Sequence, residues 1–274
     1  MNIDWTDGGR VMFRAGGANL EGAMFGLEPR KATTIVMLHE GLGSIDLWRD
    51  LPQRIAAATG LGVFAYSRRG YGKSDPVPLP RPIDYMEREA EDVLPEVLAA
   101  LDPRHAILLG HSDGASIAAL YLGAFQDRRI RGLILMAPHF FTEPAGLRAI
   151  AEARTAYESG DLRARLAKYH ADVDNAFLGW NDAWLNPDFA AWNIENAIDY
   201  VRVPVLAIQG EDDQYGTLAQ LKALESRLYA PFDAVVLKGC RHASFIDKPA
   251  ETLDAVTDFV ARLERIEDEA VMIR

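Results

Sequence analysis

Six short runs of mostly aliphatic and β-branched residues punctuate the chain, at positions 34–38, 62–66, 106–109, 132–136, 204–208 and 234–237. They are mostly apolar without alternation, so they predict strands buried on both faces rather than strands with one wet side. Between them, segments 47–58, 85–101, 115–125, 218–228 and 252–263 set apolar side chains near a 3.6-residue period, the mark of helices with one face in a core. Strand and helix in alternation predict an α/β fold, a mostly parallel central sheet flanked by helices.

One stretch breaks the alternation. From about His139 to Tyr200 no strand-like run occurs, yet ten aromatic residues fall there, including Trp180, Trp184 and Trp192 of the chain's five tryptophans. A helical insertion after a sheet strand is expected over the carboxyl edge of the sheet, where open α/β folds bind ligands. The expected organisation is a core of residues 1–138 and 201–274 with a helical cap, or lid, at 139–200. The cap aromatics either line a pocket or pack the cap onto the core.

Composition narrows the partners. The 274 residues suit one large α/β domain or a domain with an inserted subdomain. With 29 basic against 40 acidic side chains, the net charge of -11 repels polyphosphate and anionic membrane surfaces, so neither nucleic acid nor membrane is expected as a partner. The single cysteine, Cys240, excludes an intrachain disulfide and a cysteine-based zinc site. The opening residues MNIDWTDGGR lack the apolar core of a signal peptide, and no later window holds about 18 uninterrupted apolar residues; a cytoplasmic location is expected. Oligomeric state leaves no trace in the sequence.

The segment HAILLGHSDGASIAAL, residues 105–120, carries the chemistry. A strand is predicted to end near Leu109 and a helix to start near Asp113, with Gly110-His111-Ser112-Asp113-Gly114 between them. A serine held on a sharp strand-to-helix turn needs glycines two positions before and after it, where larger side chains would strike neighbouring backbone. The following helix aims its first N–H groups at any negative charge that develops there. The competing interpretation is a serine that merely caps the helix.

A serine hydroxyl needs a base, usually a histidine oriented by a carboxylate. Of six histidines, His105, His111 and His170 read as packing or surface residues. His242, in Gly-Cys-Arg-His-Ala-Ser after the last predicted strand, lies at the sheet edge where Ser112 is expected. The run Gln209-Gly210-Glu211-Asp212-Asp213 follows the strand at 204–208 and brings a carboxylate cluster to the same edge.

These residues and their order resemble the α/β-hydrolase fold superfamily across nearly the whole chain. The resemblance implies a Ser112, Asp213, His242 triad, with Asp213 preferred by its spacing from Gly210, and Asp212 or Glu211 as the alternatives. It also explains Leu38-His39-Glu40-Gly41-Leu42-Gly43, similar to the oxyanion loop after the superfamily's third strand, with Glu40 replacing the usual glycine. The implied oxyanion donors are the amides of Gly41 and Asp113, with Leu42 as a substitute for Gly41. Glu40 reads either as an ordinary loop carboxylate or as a group that reshapes substrate choice. Ser67-Arg68-Arg69-Gly70-Tyr71-Gly72-Lys73-Ser74 resembles another superfamily turn, with Ser67 where aspartate is common; Arg69, Gly70 and Gly72 are read as scaffold.

The implied activity is hydrolysis of a small or medium carboxylic ester through an acyl-enzyme, with a small-molecule ester or lactone as substrate. No metal or organic cofactor is expected, since no dinucleotide fingerprint, phosphate loop or HExxH spacing occurs. Within the superfamily the same triad serves lactonases, thioesterases, carbon–carbon bond hydrolases and cofactor-free perhydrolases. A serine at the elbow separates the chain from the dehalogenase and epoxide hydrolase branches, which place aspartate there. A small-molecule receptor with little turnover is the alternative of another class. His139, Phe140 and Phe141, just past the run at 132–136, and Trp180 and Trp184 of the cap are the expected substrate-binding residues.

Overall fold

Eight strands form one sheet in the computed structural model, which describes residues 3–272. They are β1 (Arg10–Ala15), β2 (Ala18–Phe25), β3 (Thr34–Leu38), β4 (Gly62–Ser67), β5 (Ala106–His111), β6 (Ile130–Met136), β7 (Val205–Gly210) and β8 (Phe232–Leu237). Their spatial order is β1-β2-β4-β3-β5-β6-β7-β8. β3 through β8 are mutually parallel; β1 and β2 form a hairpin that joins β4 antiparallel. The fold is that of the α/β hydrolases.

The parallel strands match the six apolar runs, and their side chains divide between two cores. On β3, Ile35 and Met37 face one side while Val36 and Leu38 face the other. Burial on both faces is what removed the polar alternation from these segments. β8 differs from expectation: it is the sheet's edge strand, and Val236 is 43% exposed.

The helices are α1 (Leu51–Thr59), α2 (Tyr85–Arg88), α3 (Leu94–Leu101), α4 (Asp113–Ala124), α5 (Pro144–Ser159), α6 (Leu162–Leu166), α7 (Val173–Trp184), α8 (Glu195–Ile198), α9 (Ala219–Arg227), α10 (Ser244–Asp247) and α11 (Pro249–Met272). α1 and α11 cover the core that contains Ile35; α3 and α4 cover the other. The single helix expected over 85–101 is interrupted by a wider turn at Glu89–Val93, just before Pro95. Proline has no N–H to close a regular turn, and the wider turn absorbs the gap. From α5 to α8 the chain between β6 and β7 is helical, apart from a 3-10 turn and an isolated bridge of Phe141 to Asn193.

Register positions the site. Leu38 pairs with Gly110, His111 with Met136, Met136 with Ile208, and Gly210 with Leu237. The carboxyl ends of five adjacent strands therefore stop in one row, and the loops after them share one rim.

Candidate active site

Ser112 sits between β5 and α4 with φ 53° and ψ −120°, a left-handed backbone that costs a non-glycine residue about 1–3 kcal/mol. The flanking glycines permit the bend. A Cβ on Gly110 would lie 2.3 Å from the Gly114 carbonyl oxygen, and one on Gly114 would lie 2.0 Å from that of Leu38. The Ser112 N–H donates to Met136 O at 2.9 Å, pinning the turn to β6. Its side chain makes no capping hydrogen bond to α4, so the helix-cap interpretation fails and the hydroxyl is left for another use.

Across the rim, His242 Nδ1 lies 2.9 and 2.8 Å from the two carboxylate oxygens of Asp213. Asp213 also accepts from the Tyr215 and Gly216 amides and from Gln209 Nε2. Burial pushes its carboxyl up, but the charge and hydrogen bond of His242, the Tyr215 amide and nearby His139 outweigh it and hold it below the usual carboxylate range. Glu211 and Asp212 are exposed, so of the three candidate acids it is Asp213 that meets the imidazole. With Nδ1–H donated to the carboxylate, a neutral ring keeps Nε2 as its acceptor.

Ser112 and His242 line one cavity of about 120 Å³. Among the described residues no hydrogen bond joins the hydroxyl to the ring; such contacts commonly tighten only when substrate binds. Glu40, Gly41 and Leu42 from the β3 loop and Asp113 from the elbow complete one wall. His139, Tyr215 and, from the helical segment, Ile150, Trp180 and Trp184 complete the rest. The amides of Gly41, Leu42 and Asp113 donate to no protein acceptor among the described residues. A Cβ on Gly41 would lie 2.1 Å from Trp180 Nε1, so glycine is required where the indole presses on the loop.

The loop is braced from beneath by Arg68. Its fully buried guanidinium donates to the carbonyls of His39 and Glu40 and stands 3.9 Å from the Asp113 carboxylate. Tyr85 donates to that carboxylate and accepts from Trp184 Nε1 at 3.0 Å. Burial, ahead of Arg68 and Tyr85 in effect, raises the Asp113 carboxyl. His39 donates from Nδ1 to Glu40 O at 2.7 Å and accepts at Nε2 from the Arg68 amide at 3.0 Å; burial, reinforced by Arg68, holds it neutral.

Several expectations need correction. Phe140 does not line the cavity: its ring is fully buried in the core, and its amide donates to Gln220 at 2.7 Å. Phe141 turns toward a separate shallow groove with Trp192 and Asn193. The chain after β6 curls so that His139 alone of the three faces Ser112. Arg69, read as scaffold, is partly exposed and holds Pro76 O, while its neighbour Arg68 is the buried brace. Charge type marked both; only the fold tells which one points inward. Ile150 and Tyr215 went unread as cavity residues, although Tyr215 lies two positions past Asp213 and its ring is 4.8 Å from that of His242.

Two other histidines are also placed. His139 is buried, and burial ahead of the neighbouring His242 and His111 charges pushes it down to about 3, so the cavity contains a neutral imidazole besides His242. His170 accepts from the Gly72 amide and lies 3.0 Å from Leu42 O through Nε2, tying the helical segment to the β3 loop. No helix among the described residues is long and apolar enough to cross a membrane.

Comparison with known proteins sets this rim in a family. The chain is 27% identical over 255 residues to the non-heme chloroperoxidase of Streptomyces lividans, spanning 81% of this chain and 89% of that protein. Among solved structures, one from a study of carboxylesterases of the thaumarchaeon Nitrososphaera gargenis superposes with a TM-score of 0.74 at 17% identity, covering 94% of this chain and 99% of the other. The enol-lactonase of Burkholderia xenovorans LB400 gives 0.69 at 21% identity, covering 92% and 100%. These two likenesses are of fold. The sequence profile of the alpha/beta hydrolase family matches residues 35–255, four-fifths of the chain's length, and the protein belongs to that family.

Proposed function

We propose that the protein is a serine hydrolase that cleaves small carboxylic esters through an acyl-enzyme. The observation that carries the reading is a strained Ser112 facing the same small cavity as a His242 ring already hydrogen bonded to Asp213. A strained, uncapped serine beside an oriented imidazole has little structural purpose.

In this reading His242 Nε2 takes the Ser112 proton as Oγ attacks the ester carbonyl carbon, and the carbonyl oxygen becomes an oxyanion held by the Gly41 and Asp113 amides, with Leu42 able to replace Gly41. Asp213 keeps the ring in its Nδ1–H tautomer and stabilises the imidazolium. Collapse breaks the bond to the alkoxy oxygen, which leaves as alcohol with the proton from His242. Water, deprotonated by the same ring, then attacks the acyl carbon; the acid departs and the Ser112 hydroxyl is restored. Segment 139–200 acts as a lid whose Trp180 and Trp184 contact substrate, with His139 offering a neutral donor or acceptor beside them.

Size supports the substrate class. The 120 Å³ pocket is somewhat smaller than the roughly 150 Å³ void that accommodates benzene in another protein, so it suits a short acyl chain. The test is turnover of p-nitrophenyl acetate, butyrate and octanoate and of small lactones by wild type and Ser112→Ala. Turnover of the short esters is expected, with a loss on the order of a millionfold in the variant, as in other serine triads. Near-normal turnover by Ser112→Ala defeats the reading. Ring opening far faster than acyclic ester cleavage moves it to a lactonase, and ligand-induced stabilisation without turnover moves it to a receptor.

A further inference from the structure

Glu40 stands where the family's loop has glycine, and its carboxylate reaches behind the site to His111, the residue before Ser112. His111 Nδ1 lies 3.3 Å from Glu40 Oε2, and His111 Nε2 lies 3.0 Å from the carbonyl oxygen of His242. Both neighbours are oxygens. A neutral imidazole has one N–H and meets only one of them as donor; the doubly protonated ring meets both. The rings of Trp48 and Phe245 also pack against His111, His139 stands close enough to feel its charge, and the His111 side chain is 2% exposed. Its ring centre is 4.9 Å from that of His242.

We propose that Glu40 and His111 form an ionised pair that positions His242, His111 holding its backbone carbonyl and the two charges balancing its protonation. The proposal rests on His242 being the base of the reading above. Glu40 and His111 are positioning residues and touch no reacting atom in it. Asp213 orients His242 from the β7 side through the ring; Glu40 and His111 fix it from the β3 and β5 side through the backbone. The other groups facing His242 are Tyr215 and His139, with Arg241 and Asp247 along the outer cavity that Glu40 and His111 also line.

The pair's two charges rise and fall together, and that sets the expected effects. Glu40→Gln keeps the side chain's shape and an acceptor oxygen; it removes the negative charge and with it the second proton of His111, so the net charge beside His242 is unchanged and the acid limb of the kcat/KM profile is expected to stay close to its wild-type position. His111→Gln keeps a donor for the His242 carbonyl but leaves Glu40 as an unbalanced negative charge that favours protonated His242, and the limb is expected to move to higher pH by about half a unit to one unit. Adding Glu40→Gln to His111→Gln is expected to bring the limb back toward wild type. A side chain that only fills space produces no such shift and rescue.

Nitrogen-15 NMR of the His111 ring gives a readout independent of turnover and of any variant's folding. Both ring nitrogens are expected to be protonated at pH 7 in the wild-type protein, and only one in Glu40→Gln. A singly protonated His111 in wild type, or an acid limb that stays in place in His111→Gln while Ser112→Ala abolishes turnover, overturns the pair. Retained turnover in Ser112→Ala defeats the hydrolase reading instead and leaves the NMR result to decide the pair alone.

Discussion

The cavity has two walls of different origin. One is made by strand ends and the loops after them, carrying Ser112, His242, Gly41 and Glu40; the other is made by helices of the β6–β7 segment, carrying Ile150, Trp180 and Trp184. The first wall is polar and its spacing follows from sheet register, because five strand ends stop in one row. The second is apolar and held by side-chain packing, such as Trp184 against Phe189 at 4.7 Å between ring centres. Chemistry placed on a register inherits the rigidity of backbone hydrogen bonds, while fit placed on packed helices can change with single side chains.

The sharpest way to break this comparison is to damage the first wall without moving it. Asp213→Asn keeps the shape and hydrogen-bonding reach of the side chain but favours the wrong tautomer of His242. Turnover of the best short ester is expected to fall by about ten-thousandfold, as for the same change in other triads, with the folded structure retained by circular dichroism. A loss below tenfold removes Asp213 from the mechanism and leaves the polar wall a structural coincidence.

The two walls also differ in how legible they were. Ser112 and Asp213 could be singled out because each follows a buried strand, and uninterrupted apolar runs mark such strands plainly; His242 follows the apolar run of the half-exposed edge strand β8. The β1–β2 hairpin escaped because β1 is half exposed, with Arg10, Met12 and Arg14 facing solvent, and in buried β2 Asn19 and Glu21 interrupt the apolar residues. Its signal was local instead. Gly16 and Gly17, at φ 57° and 71°, form the two-residue turn that a tight hairpin demands, and a glycine pair between alternating segments is readable as such. On the helical wall, aromatic density announced a packed region but not which rings face the cavity. Phe140 and Trp180 are equally apolar in sequence; the curl after β6 sends one to the core and tertiary packing sends the other over Gly41. Glu40 was visible as a departure from pattern, but its partner His111 lies 71 residues away and only the fold joins them.

A smaller effect is expected on the helical wall. Trp180→Phe removes part of the indole that presses on Gly41 and opens the cavity toward the acyl chain. The ratio of kcat/KM for the hexanoate to that for the acetate ester is expected to rise about tenfold, the scale of one or two methylenes in an apolar pocket. The pH profile is expected to stay in place, since no titrating group changes. A fall in turnover on every chain length alike, comparable to that of Asp213→Asn, would show that the helical wall holds the chemistry as well as the fit.

The smallest effect concerns Cys240, two residues before His242 and close to the polar wall in sequence. From chain proximity alone, a modified thiol here could disturb the site, while a buried one would be plain packing. The fold gives the second case: Cys240 is fully buried in the core on the α11 side of the sheet, its Sγ 3.4 Å from Arg241 O. Burial, with added repulsion from Asp247 and Asp213, pushes the thiol up to about 11. The thiolate is the reactive species, and at pH 7.5 only about one molecule in a few thousand carries it, behind side chains that a reagent must displace. Iodoacetamide applied to the folded protein is therefore expected to leave ester turnover unchanged and Cys240 unlabelled by mass spectrometry, with labelling appearing only in denaturant. Rapid labelling of the native protein accompanied by loss of turnover would mean that the β8 loop opens readily, and the rigidity attributed to the polar wall would then fail at His242 itself.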